Sequence, residues 1–240
     1  MSLILRPNAI PVYGFLSKIA ARGLPAEGEL RLKILDCGAG GCVPPVALFA
    51  QHGFEAFGID IDPEQLARAK QFCADNAIEV DLREGDMRAL PFEDESLDYV
   101  FEQYAMCHLS KADTAKVVNE MQRILKPGGM ALLGVISMDC WPKSFFGEEK
   151  VPGEFWMIED GEEARHSMFT DDEADALVAG WEVLSREKQV RFMRDAALET
   201  SLEDWMALRD GQDEVDWRAR YDERVNAFQY VHLYFTVEKK

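Results

Sequence analysis

A chain of 240 residues is long enough for one well-buried domain with insertions and does not demand two. Its net charge of −18 repels phosphate backbones and anionic membrane surfaces, which excludes nucleic acid and membrane as principal partners. Five irregularly spaced cysteines, the lack of a basic head followed by an apolar run, and the lack of any apolar stretch near the ~18 residues of a membrane span predict a soluble cytoplasmic protein with reduced thiols.

The period of the apolar residues switches repeatedly along the chain. Residues 32–37 read as a strand, and 44–51 as a short helix opened by proline, whose missing N–H costs little there, and closed at Gly53. Residues 54–60 form a second strand. Residues 63–74 have helical spacing, with Asp62 as N-cap and Leu66, Ala69, Phe72 and Cys73 on one face. A weaker strand over 80–84 and a stronger one over 97–102 follow, then a helix over 114–125 stopped by KPGG and a buried strand over 130–136. Strands alternating with helices imply crossover connections and a mostly parallel sheet covered on both faces. Beyond this point the rhythm breaks. Residues 171–179 look helical, 181–192 extended, and FQYVHLYFTVEK alternates as a strand does, with an acidic, tryptophan-bearing stretch over 195–226 before it. No internal repeat appears, so a single domain over 1–240 is expected, with an N-terminal helical cover over 1–30 and lid insertions over 139–169 and 195–226.

In an open α/β sheet the ligand crevice lies at the carboxyl ends of the strands, and the first strand-to-helix loop borders it. Here that loop reads DCGAGG, in which the glycines let the backbone approach a ligand. A dinucleotide fold wants G-x-G-x-x-G, and counting from Gly38 and Gly40 the third place is Val43. A branched side chain there argues against a nicotinamide dinucleotide.

Four segments in order, ILDCGAGG, GIDIDPEQL, EGDMRALPFEDESLDYV and ILKPGGMALL, resemble the landmarks of class I S-adenosylmethionine-dependent methyltransferases, in particular the small-molecule, type 11-like branch. The resemblance covers 33–136 and reaches more loosely to the end. It implies an α/β, doubly wound, Rossmann-like fold whose seven-stranded, mostly parallel sheet carries an antiparallel C-terminal strand. It also implies S-adenosyl-L-methionine as cofactor, and in-line methyl transfer to a small-molecule oxygen, nitrogen or carbon. The cofactor contacts it implies come from Asp36, Cys37, Gly38, Ala39 and Gly40, where the backbone passes under the methionine portion. Further contacts come from Asp60, an acceptor for both ribose hydroxyls, with Ile61 beside it, from Asp86 and the Met87 backbone around the adenine, and from Gln103. Two departures stand out. Cys42 occupies the place of a further glycine, and the D/N-P-P-Y signature of enzymes acting on base amines is replaced by EQYA, in agreement with the charge.

The same resemblance puts the loop after the fourth strand, with His108, at the wall between cofactor and acceptor. Imidazole titrates near working pH and suits proton removal from an acceptor hydroxyl or amine, whereas a packing histidine is the alternative. Tyr104 is a second catalytic candidate; Tyr13, Asp139 and His166 are candidates for the acceptor, with Glu102 below them. No metal site is expected, because no second His or Cys lies at ligand spacing from Cys107 and His108. The lids carry Trp141, Phe145, Phe146, Phe155, Trp156, Trp205 and Trp217 amid carboxylates, which either pin the lids to the core or enclose a cation-bearing acceptor. A nicotinamide oxidoreductase and a non-catalytic S-adenosylmethionine-binding regulator are the competing classes.

Overall fold

The structure, a computed structural model, describes residues 9–24, 30–141, 143–159, 161–192 and 229–240. The expected lid over 195–226, with Trp205 and Trp217, lies outside them. Strands β1 (Lys33–Cys37), β2 (Glu55–Asp60), β3 (Asp81–Glu84), β4 (Leu97–Glu102) and β5 (Leu125–Ser137) run parallel, β1 pairing with both β2 and β4. β1, β4 and β5 are apolar almost throughout because both of their faces are covered. β9 (Glu182–Phe192) and β10 (Gln229–Glu238) extend the path to β3-β2-β1-β4-β5-β10-β9, with β10 antiparallel to both neighbours. This is the mostly parallel sheet with an antiparallel C-terminal strand that the resemblance implied. The order reverses between β1 and β4, the switch point at which such sheets open a crevice.

One face is covered by α1 (Ile10–Arg22), α2 (Val46–Gln51) and α3 (Pro63–Asp75). There the rings of Phe15, Phe49, Phe54, Tyr99 and Phe101 interlock, Phe49 and Phe101 with centroids 5.2 Å apart. The other face is covered by α4 (Lys111–Ile124) and α5 (Asp171–Leu177), which bury Val117, Met121 and Ala174. Among the described residues no helix is long and apolar enough to cross a membrane.

Several boundaries differ from expectation for identifiable reasons. α4 begins before residue 114 because the Ser110 hydroxyl accepts the Asp113 N–H at 3.0 Å and caps it. α2 begins after both prolines, with Pro45 as its N-cap. KPGG belongs to β5, where Gly128 at φ +77 turns the chain inside the strand. The expected lid over 139–169 is mostly sheet: β6 (Glu148–Val151), β7 (Glu154–Glu159) and β8 (Glu162–Phe169) form an antiparallel meander turned at Gly153 and Gly161, and the end of β8 pairs with β5. β6 is exposed throughout and β8 is polar over its first half, so neither shows the apolar run or alternation that marks a strand.

Candidate cofactor and acceptor site

The carboxyl ends of β1, β2 and β4 open onto a cavity of about 340 Å³ bordered by Gly38, Gly40, Asp60, Met87, Tyr104 and His108, among others. Its floor is the loop after β1. The Gly38 and Ala39 N–H groups donate to the Ile59 carbonyl at 2.9 and 2.8 Å, which ties this loop to β2. Gly38 has φ +100, and a Cβ there would overlap the Cβ of Ala105; a Cβ on Gly40 would overlap Asp60 Oδ2 and Gln65 Cβ. These positions keep the floor free of side chains.

Asp60 sits at the tip of β2. Its Oδ2 accepts the Gly40 N–H at 2.8 Å and its Oδ1 the Asp62 N–H at 2.9 Å. The carboxylate is thereby oriented, and each oxygen retains acceptor capacity for a hydroxyl donor. Ile61, Met87 and Gln103 also border the cavity. Asp86 borders it too, but its carboxylate grips Arg88 through Nε at 2.9 Å and Nη2 at 2.7 Å. That guanidinium holds the Asp86 carboxyl below the usual carboxylate range, and any amine donor at Asp86 shares the group with it.

Asp36, Cys37 and Ala39, expected as cofactor contacts, are not among the residues that border the cavity. Asp36 lies within β1 rather than at its tip, 1 % exposed, and its Oδ2 accepts the Val46 N–H at 3.2 Å at the start of α2. Burial, with lesser contributions from Glu102 and Asp60, pushes its pKa well up. Cys37 packs into the core under α4 and Ala39 into the core under α2. These three residues hold the loop from behind.

The loop after β4 forms the opposite wall. Glu102 is fully buried and its Oε1 accepts the N–H groups of Ala105 at 2.5 Å and Met106 at 2.8 Å. Between them Tyr104 adopts φ +67, a left-handed conformation rare for such a residue. Burial pushes the Glu102 pKa up to about 7. The unfolded carboxyl ionises near ~4.3, so stability falls as pH rises from there to about 7 and stays reduced above. Glu102→Gln, which keeps the acceptor and removes the charge, is expected to gain up to roughly 3 kcal/mol over wild type at about pH 8 and little near ~pH 4. Urea unfolding of both proteins across that range checks this; a pH-independent difference refutes it.

Tyr104 packs edge-on against His232 of β10 at 4.6 Å, with Tyr230 stacked beyond at 6.4 Å from Tyr104. Burial lowers the His232 pKa to about 3, so it is neutral among these rings. His108, from the turn Met106–His108, is exposed and meets His166 of β8 at a centroid distance of 5.0 Å. Its Nδ1 lies 3.2 Å from the Arg165 carbonyl, which can only accept, so Nδ1 is the donor. His166 is buried, and burial pushes its pKa down to about 4. Of these candidates Tyr104 and His108 border the cavity and His166 meets His108 from outside it, whereas two others lie elsewhere. Asp139 pairs with Lys188 at 2.5 Å, and Tyr13 packs against the core beneath α1.

The other candidates resolve simply. Cys107 is buried, its thiol donates to the Tyr104 carbonyl at 3.0 Å, and burial pushes its pKa far up, which disarms it as a nucleophile. Phe146 and Phe155 are buried, and the Trp156 ring is met by Lys150 at 5.4 Å and Arg165 at 4.9 Å. Those aromatic residues pin the meander, and the chain's own cations sit on Trp156. Sequence reasoning missed Gln65, Arg88 and Leu109 at the cavity, and Glu159 beside His166. Only Arg88, two residues after Asp86, left a readable trace.

Residues 34–129 match the methyltransferase domain family. The chain is 35% identical over 109 residues to the uncharacterized methyltransferase YcgJ of Bacillus subtilis, which covers 45% of this chain and 42% of that protein. It is 28% identical over 137 residues to the demethylmenaquinone methyltransferase of Chlorobaculum parvum, covering 51% and 54% respectively. The chain therefore spans about half the length of these curated relatives. Among solved structures, a SAM-dependent methyltransferase from Methanosarcina mazei shares the fold with a TM-score of 0.64 at 18% identity, over 99% of both chains. The glycine loop, the oriented Asp60 carboxylate and strands β2 to β4 all fall inside residues 34–129, the segment that matches the methyltransferase domain family, and through it the chain is similar to S-adenosylmethionine-dependent methyltransferases.

Proposed function

We propose that this protein transfers the methyl group of S-adenosylmethionine to a small-molecule acceptor that enters beside Tyr104 and His108. One observation carries the reading: a carboxylate whose two oxygens are each held by a backbone N–H stands in a cavity whose floor cannot accommodate a Cβ. That pair of acceptors fits the cofactor, since a vicinal diol needs two acceptors on one rigid group and the nucleoside needs the unobstructed floor. When bound, the cofactor supplies an electrophilic methyl on a sulfonium, so most of the hard chemistry is its own. The work left to the protein is to align the acceptor and exclude water. Asp60 and the Gly38–Gly40 backbone hold and orient, Met87 and Ile61 cover apolar surface, and Tyr104 wedges the wall on the acceptor side.

His108 is the group that faces the acceptor. With Nδ1 donating to Arg165, its Nε2 carries the lone pair. His108→Gln is expected to lower turnover by about 100-fold or more while leaving the affinity for S-adenosylhomocysteine unchanged. The assay is S-adenosylhomocysteine release over a panel of hydroxyl, amine and thiol acceptors, with product affinity from calorimetry. Cofactor uptake without turnover on any acceptor would instead indicate a non-catalytic binder.

A further inference from the structure

His108, Glu159 and His166 come from three separate elements, the turn after β4, the end of β7 and the middle of β8, yet they converge. One nitrogen from each imidazole and one carboxylate oxygen all lie within 4.8 Å of one another. His166 Nε2 is 3.4 Å from Glu159 Oε1, and the two imidazoles meet edge-on. His166 is 6 % exposed, and its Nδ1 is buried without a hydrogen-bond partner. His108 is exposed on the other side and borders the cofactor cavity.

The surroundings hold this cluster in place. The Lys111 N–H donates to Glu154 at 2.9 Å and the Ser167 hydroxyl to the Leu109 carbonyl, which latch β7 and β8 onto the chain on either side of Ser110. The Arg165 carbonyl takes the Nδ1 proton of His108, the outer contact that orients a metal-binding imidazole and leaves Nε2 as the ligand atom. Packing alone calls for neither a carboxylate set against a pair of touching imidazoles nor a buried, unpartnered ring nitrogen.

We propose that His108, Glu159 and His166 bind one divalent transition-metal ion at the cavity wall. Two neutral imidazoles and one carboxylate suit Zn²⁺ and its neighbours rather than Mg²⁺ or Ca²⁺, and three protein ligands leave a further position open. On the methyl-transfer reading above, on which this extension rests, the open position takes the oxygen, nitrogen or sulfur of the acceptor and fixes it beside the methyl. His108 then serves as a ligand rather than as a lone base. The ion-binding claim itself does not depend on that reading.

The test uses the whole 240-residue chain freed of metal with a chelator. Titration with Co²⁺ is expected to give a visible ligand-field band that saturates at one ion per chain and is displaced by Zn²⁺. Glu159→Gln and His108→Gln, both at exposed or half-exposed positions, are each expected to weaken Zn²⁺ binding in calorimetry by more than the roughly 10- to 100-fold that outer-contact loss costs. Their thermal unfolding without metal is expected to match wild type. A folded wild-type chain that gives no saturable band, or two variants with unchanged Zn²⁺ affinity, overturns the proposal. S-adenosylhomocysteine titrated in the presence of chelator separates the two claims: binding there without Co²⁺ binding defeats only the metal site, and the converse defeats only the methyl-transfer reading.

Discussion

Asp60→Ala is expected to weaken S-adenosylhomocysteine binding by at least about 100-fold, with the fold retained. Hydrogen bonds to a charged group contribute about 1.5 to 3 kcal/mol each, and a diol makes two of them; about 3 kcal/mol corresponds to roughly two orders of magnitude in affinity. The same carboxylate also accepts the Gly40 and Asp62 N–H groups, so the substitution costs some stability as well. That cost stays near ~1 kcal/mol per bond because water can reach the half-buried site. Calorimetry of the product with wild type, Asp60→Ala and Asp60→Asn distinguishes the cases. Asparagine keeps one acceptor oxygen, so its affinity is expected to fall between the other two. A folded Asp60→Ala protein that binds as tightly as wild type would remove the central support for the cofactor site.

Gly38→Ala has the second large effect, and it acts through geometry rather than charge. At φ +100 an L side chain is strained, and its Cβ would overlap Ala105. Ala105 has little room to retreat, because its N–H is held at 2.5 Å by the buried Glu102. The two walls of the cavity must separate, at a cost of about 1 to 3 kcal/mol in stability. Product binding is expected to be lost along with it. Gly41→Ala is the internal comparison: its φ of +97 is equally unfavourable, but the nearest atom to its Cβ is Gln65 Oε1 at 3.9 Å. It therefore incurs the backbone strain alone. Urea unfolding is expected to rank wild type above Gly41→Ala above Gly38→Ala, and equal effects at the two glycines would disprove the contact argument.

The parallel half of the fold was legible because each of its elements carries its own local signal. Asp62 and Pro63 mark the start of α3, apolar runs mark β1, β4 and β5, and a glycine loop with an acidic residue after the next strand marks the crevice. Ser110 was overlooked as a cap although its hydroxyl sets the start of α4. Less legible is the direction in which a side chain points. Asp36 is expected among the cofactor contacts, whereas β1 continues through it and turns it into the interior against Val46. Glu159 was invisible for a different reason: its meeting with His108 and His166 depends on how a polar meander docks on the turn after β4. Neither spacing nor periodicity along the chain encodes that docking.

The position of β10 has a consequence for the route by which the molecule assembles. Among the described residues β9 is joined to the sheet through β10 alone, and β10 meets β5 with Ile136 opposite His232. β9 is thus stranded until a segment from much further along the polypeptide has bridged the gap, and closing a loop of that length is entropically slow. The units β1 to β4 need no such wait. Nucleation is expected in the half that carries the glycine loop, with the margin formed by β9 and β10 locking last and shielding the flank of β5 only in the final stage.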